Sequence, residues 1–199
     1  MSSVTIEELV AKLRCCNESQ FESTEYIHDL LAAFPVNPES ISRYLIWDNQ
    51  HYTRNLIDKT PLYELLAICW EPGQASSVHN HHDQMCWMAA PIGRLCVQNY
   101  RLLREDMQAG TCDLEPSNVV EINPSSPTAV DPLAPVHKVY NPAEFAGRAV
   151  SLHVYSRPYD RCLVYSQEQH KCGEIHLNYT SEYGVPSRPA MAGSHSISN

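Results

Sequence analysis

From Tyr52 onward the chain breaks into short apolar segments at residues 52–58, 62–70, 84–90, 94–102, 118–122, 136–140, 149–155, 162–166 and 174–179. They have strand composition and are separated by Pro, Gly, Asn and Asp. Many short strands at regular spacing predict a mainly β fold, a sandwich or a barrel. Pro116, Pro124, Pro127, Pro132 and Pro135 are expected in the connections, where no ladder hydrogen bond is lost.

The first 47 residues read differently. Thr5 and Glu8 form a capping box ahead of Ile6, Leu9, Val10 and Leu13, which recur at helical spacing. A second helix is expected over residues 20–34 on the stripe Tyr26, Ile27, Leu30, Leu31 and Phe34. A third should start at Asn37 and Pro38 and run to about Leu45. The organisation expected is a single domain, with a helical cap over 1–47, a barrel over 48–182 and a loosely held tail over 183–199, where Ser, Pro and Gly replace periodic apolar residues.

Charge and cysteine usage exclude several classes of function. Lys and Arg number 14 against 23 Asp and Glu, for a net charge of −9. No basic run is available to neutralise a phosphate backbone, so nucleic acid is excluded as a partner. No basic-then-apolar leader opens the chain and no stretch is apolar enough to span a bilayer, so neither secretion nor membrane insertion is expected. The eight cysteines contain no CxxC pair and read as reduced thiols in a cytoplasmic compartment. Apolar content of 43% supplies a core without staples, so a bound metal would be functional.

The chemistry concentrates in histidines. His79-Asn80-His81 has strand character, and a period of two sends His79 and His81 to one face while His82 points away. His137, on a later strand, is easily adjacent in a closed barrel. Three neutral imidazoles leave a divalent ion its full charge and several open positions. A zinc hydrolase is also compatible with three histidines, but no Glu-type general base lies near His79 and His81.

Around these histidines, Gly73, His79, His81, Cys86 and Gly93, and then Pro132, Ala134, His137 and Asn141, are spaced in a way that resembles the paired motifs of the cupins. Cys86 stands where many cupins carry a glutamate ligand, and Ala134 where the second motif usually has glycine. His-Tyr-Thr-Arg-Asn at 51–55 and Ser-Leu-His-Val-Tyr-Ser at 151–156 extend the likeness. Over roughly residues 45–180 the chain resembles the cysteine dioxygenase family, in the thiol dioxygenase branch of the cupins.

That resemblance implies a small jelly-roll-like cupin β-barrel preceded by short helices, with iron(II) on His79, His81 and His137. It implies a monomeric oxidoreductase that converts L-cysteine and O2 to cysteine sulfinic acid, in cysteine catabolism and taurine biosynthesis. Arg54, helped by the Tyr52 hydroxyl, would bind the substrate carboxylate. As i and i+2 of one strand face the two side chains can act together, and a guanidinium is the natural planar clamp for a carboxylate. Ser151, His153 and Tyr155 alternate along one strand, so all three can face the interior while Leu152 and Val154 pack the other way. In the family this row lies beside the iron, Tyr155 presents its hydroxyl to substrate and oxygen, and Cys86 is placed for a thioether to Tyr155. Arg157 departs from the second proline of the animal-type pattern, so a different loop geometry is expected after Tyr155. Cys162 aligns with a cysteine near the substrate entrance, and is equally readable as a buried thiol. His28, His51, His170, His176 and His195 receive no role. Two other functions compete: oxidation of another small thiol such as 3-mercaptopropionate, and a non-catalytic metal-binding cupin.

Overall fold

In the computed structural model, which describes residues 3–187, two β-sheets face one another and short helices cover the outer face of one. Each helix of the N-terminal region begins at a polar side chain that takes an otherwise orphaned N–H. Thr5 Oγ1 accepts from the Glu8 N–H at 3.2 Å, and Glu8 Oε2 accepts from the Thr5 N–H at 2.7 Å, opening α1 (Ile6–Arg14). Asn17 opens α2 (Glu18–Phe21) and Ser23 opens α3 (Thr24–Ala33). The single helix expected over 20–34 is therefore two, because Ser23 starts a new one instead of continuing the old. Asn37 and Pro38 begin a helical segment as expected, but Pro38–Tyr44 is a 3₁₀ helix.

The strands are β1 (Thr53–Lys59), β2 (Glu64–Trp70), β3 (Val78–His79), β4 (Cys86–Ile92), β5 (Leu95–Asp106), β6 (Thr111–Ile122) and β7 (Thr128–Ala129). They continue as β8 (His137–Tyr140), β9 (Ala149–Tyr155), β10 (Arg161–Ser166), β11 (Lys171–His176), β12 (Ser181–Glu182) and β13 (Val185–Pro186). One sheet runs β13-β12-β1-β2-β9-β4-β7; the other runs β10-β11-β6-β5-β8-β3 and closes through the pairing of β3 with β10. This is the mainly β, jelly-roll-like barrel with short N-terminal helices that was expected.

Two expectations about this region are corrected. Pro116 lies inside β6, opposite Tyr100 at a register shift, and not in a connection. β6 is paired there with β5 alone, so the missing proline N–H costs no ladder bond. The expected tail also begins too early: Val185 and Pro186 pair with Glu182 and Ser181, and β12 adds in parallel to β1. Residues 188–199 of that tail, with His195, lie outside the described residues.

Alternation along β2 and β9 divides the apolar residues between two cores. Leu65 and Ala67 of β2 and Val150, Leu152 and Val154 of β9 pack against Ile6, Leu9 and Leu13 of α1 and Ile27 and Leu31 of α3. Leu66, Ile68 and Trp70 face the opposite way, meeting Met88, Val97 and Val139 between the sheets. A bulge in β1 adds a further device. Leu56 pairs with Leu66, but Asp58 pairs with Leu65 and Lys59 with Glu64, so Asp58 turns toward the helices. There its carboxylate accepts from Arg14 Nε at 3.0 Å and Nη2 at 2.6 Å, and from the Tyr63 hydroxyl.

Candidate metal centre and its pocket

His79 and His137 are direct cross-strand partners on β3 and β8, and His81 follows two residues beyond the end of β3. It is a turn, and not continued strand pairing, that places His81. His82 and Asp83 take φ of 53° and 65°, and the Gln84 N–H donates to the His81 carbonyl at 3.0 Å. The side chain of Asn80 anchors the segment to β10, accepting from the Leu163 N–H at 3.3 Å and donating to the Tyr165 hydroxyl at 3.1 Å. His82 is exposed, as expected.

The ring centroids of the three histidines lie 4.5, 4.7 and 5.1 Å apart, and one nitrogen of each is within 4.8 Å of the others. His79 Nδ1 lies 2.9 Å from the Ser77 carbonyl and His137 Nδ1 lies 2.9 Å from the Pro135 carbonyl. A carbonyl only accepts, so both Nδ1 atoms carry the proton and both Nε2 lone pairs are free. His137 Nε2 and both nitrogens of His81 are buried without any partner. Burial holds His79 down to about 4; burial and the neighbouring imidazoles hold His137 down to about 3 and His81 well below the ordinary histidine value. Neutral, converging and unpaired imidazole nitrogens fit a divalent cation, which answers lone pairs that nothing else in the pocket answers.

A polar row runs down β9 beside this centre. Trp70 Nε1 donates to Ser151 Oγ at 2.9 Å, Ser151 Oγ is 2.8 Å from His153 Nε2, and His153 Nδ1 is 3.1 Å from the Tyr155 hydroxyl. The Tyr155 ring stands edge-on to His81, with centroids 5.0 Å apart. Cys86 on β4 is the direct cross-strand partner of Tyr155, and its sulfur lies 3.9 Å from His153 Nδ1. Burial pushes both the Cys86 thiol and the Tyr155 phenol up, so both are protonated at neutral pH.

Arg54 and Tyr52 sit on the same side of the pocket as His79, with Cys162 beside them. Tyr52 stacks on Trp70 at 4.7 Å. Arg54 Nε and Nη2 are buried and donate to nothing. A guanidinium stays charged, so these two N–H groups form a built receptor for a planar anion. Cys162 is buried, and burial pushes its thiol up to about 11. The loop after Tyr155 does differ from one shaped by two prolines: Arg157 takes φ of 111°, which proline cannot adopt.

Two residues at or beside this pocket were not singled out in the sequence. Tyr159 lines it, with its ring 5.0 Å from that of Tyr155 and 6.1 Å from that of His81. Glu64 is fully buried at the start of β2, opposite Tyr155. Neither belongs to a periodic polar pattern; the only available signal was a charge heading the apolar run Glu64–Trp70.

The chain matches the family described as Cysteine dioxygenase type I over residues 1–168. It is similar to cysteine dioxygenase type 1 of Danio rerio, 26% identical over 185 residues, covering 92% of this chain and 90% of the relative. Against the Rattus norvegicus protein of the same name the identity is 26% over 195 residues, covering 96% and 93%. A solved structure from Klebsiella pneumoniae, titled as an uncharacterized conserved protein with a double-stranded beta-helix domain, is 15% identical with a TM-score of 0.38. The match covers 59% of this chain and 82% of that one.

Proposed function

The chain belongs to the cysteine dioxygenase type I family, and on that premise we propose that it is a mononuclear non-haem iron thiol dioxygenase converting L-cysteine and O2 to cysteine sulfinic acid. The observation that carries the reading is the meeting of three converging imidazoles, with buried unpaired nitrogens on His81 and His137, and two unpaired guanidinium N–H groups of Arg54. One set suits a metal ion, the other a carboxylate, and a small thiol acid joins the two.

His79, His81 and His137 would hold iron(II), which supplies open positions where the substrate sulfur and O2 are brought together. Arg54 binds the substrate carboxylate through Nε and Nη2, assisted by the Tyr52 hydroxyl, and so defines where the sulfur lies. Tyr155 donates its hydroxyl proton toward the reacting groups, positioned by His153 and Ser151. The aromatic walls of Tyr52, Trp70, Tyr155 and Tyr159 keep water out and strengthen each of these hydrogen bonds. Cys86 and Tyr155 would form a thioether between neighbouring strands, a two-electron oxidation in which the thiol and ring hydrogens are lost and O2 is the oxidant that takes up the two protons and two electrons.

A monomer in the cytoplasm, acting in cysteine catabolism and taurine biosynthesis without nucleic acid or membrane, completes the reading. It is supported by the free state of all eight cysteines and by the net charge of −9. No helix among the described residues is long and apolar enough to cross a membrane.

The test is oxygen uptake by anaerobically iron(II)-loaded protein on addition of L-cysteine, with the product identified by mass and NMR. Stoichiometric formation of the sulfinate is expected. Uptake with 3-mercaptopropionate alone would overturn the substrate and leave the metal centre standing; no uptake with any thiol would leave a non-catalytic metal-binding protein.

A further inference from the structure

Among the described residues only two carboxylates are buried, Asp58 and Glu64. Asp58 is fully engaged by Arg14 and Tyr63, outside the pocket. Glu64 is engaged by half. The Tyr179 hydroxyl donates to Oε2 at 2.5 Å, and Lys59 Nζ donates to that hydroxyl at 3.2 Å, while Oε1 is buried with no partner.

The register shows where this carboxylate faces. Glu64 is directly opposite Tyr155, and Tyr155 is directly opposite Cys86, so the three form one row across β2, β9 and β4 on the inward face. Charged and titratable groups surround it from every side: Arg54 and Lys59 on β1, Tyr155, Cys86 and Tyr179. Burial pushes the Glu64 carboxyl up, while Tyr179, Arg54 and Lys59 hold it back toward ionisation.

Arg54 is the natural counter-ion, yet no ion pair joins it to Glu64, and its Nε and Nη2 remain unpartnered too. Leaving the buried donor pair of Arg54 and the buried Oε1 of Glu64 unanswered is costly for each. A ligand bearing both a carboxylate and an amino group answers both. A thiol acid without the amine answers only Arg54.

We propose that Glu64 Oε1 accepts a hydrogen bond from the amino group of the substrate, and that this contact makes the pocket prefer an α-amino thiol acid over its deamino counterpart. The inference rests on the thiol dioxygenase reading and adds a specificity residue to it. Arg54 selects for the carboxylate that the two substrates share; Glu64 separates them. Tyr179 and Lys59 hold Oε2, so that Oε1 is the free atom.

The experiment compares the wild type with Glu64→Gln and Glu64→Asp on L-cysteine and 3-mercaptopropionate. It measures kcat and KM for both, and anaerobic binding of both by isothermal titration calorimetry. Glu64→Gln keeps the shape and an acceptor for Tyr179 but loses the charge. It should lower affinity and kcat/KM for L-cysteine by about tenfold, the scale of one charge-assisted hydrogen bond, and leave 3-mercaptopropionate within about twofold. Glu64→Asp keeps the charge and should retain part of the preference for L-cysteine. Equal losses for both thiols would make Glu64 a brace for Tyr179 and overturn the proposal, as would no change for either. A wild type that handles both thiols equally would overturn the proposal alone; one that neither binds nor oxidises any thiol would overturn the dioxygenase reading beneath it.

Discussion

The Trp70 indole N–H donates to the Ser151 hydroxyl oxygen, and this bond anchors the head of the polar row. Ser151 keeps its own proton and a second lone pair for His153 Nε2; when Ser151 donates there, the proton of the imidazole sits on Nδ1, pointing at the Tyr155 oxygen. The Tyr155 proton is then free for the pocket. Trp70→Phe removes the donor that holds the Ser151 hydroxyl in place. We expect kcat to fall by about tenfold with KM for L-cysteine changed much less, and Ser151→Ala to reproduce that split in steady-state kinetics. A loss confined to KM would show that the row acts on binding and not on a proton.

Metal retention should depend on the three histidines while the fold does not. The cores are apolar and continuous without any ion. His81→Ala should therefore lose most of its iron by elemental analysis and keep its far-ultraviolet circular dichroism unchanged. Collapse of the spectrum would mean that the histidines are structural.

Arg54→Ala should raise KM for L-cysteine by about 10- to 100-fold, the range of one to two charge-assisted hydrogen bonds. Arg54→Lys should recover little of it, because an ammonium cannot reproduce the planar pair of donors. Full recovery by lysine would reduce the clamp to a point charge.

The thioether predicts a mass change. After aerobic turnover, intact-mass spectrometry should show a species lighter by two hydrogens, absent in Cys86→Ser and in Tyr155→Phe. A light species that persists in Cys86→Ser would place the oxidation elsewhere.

Arg14 and Asp58 predict how stability follows pH. Burial pushes the Asp58 carboxyl up, but Arg14 and Tyr63 outweigh burial and hold it below the usual value. A depressed native pKa stabilises the fold above the unfolded value of about 3.9 and ceases to do so as pH falls through the native one. Asp58→Asn should lower Tm on the order of 2–4 °C between about pH 5 and 8, with the difference shrinking below about pH 4. A difference that widens in acid would reverse the assignment.

Most of the architecture and the outline of the site were legible in the residues because they rest on alternation. Ser151, His153 and Tyr155 share a face for the same reason that Leu152 and Val154 share the other, and His79 pairs with His137 across two strands. What escaped was set by distant contacts or by single backbone angles. Glu64 heads an apolar run as an exposed strand-end charge would, and it is buried beneath Tyr179, 115 residues away. Tyr159 reaches the pocket through a loop in which Arg157 takes a positive φ, an angle no composition signals. Pro116 read as a break because a proline is tolerated in a ladder only where one neighbour is missing, which is a property of the sheet and not of the residue.

The two-sided strand β9 has a consequence for any attempt to shorten this chain. Its inward residues form the polar row, and its outward residues Val150, Leu152 and Val154 rest on the helices that open the sequence. The Trp87 indole fastens the neighbouring strand to the Thr24 carbonyl at 2.7 Å. Deleting the first 47 residues would thus not release a minimal catalyst. It would lay bare a continuous greasy surface behind the reacting groups, and the truncated product should be recovered from cells as insoluble material.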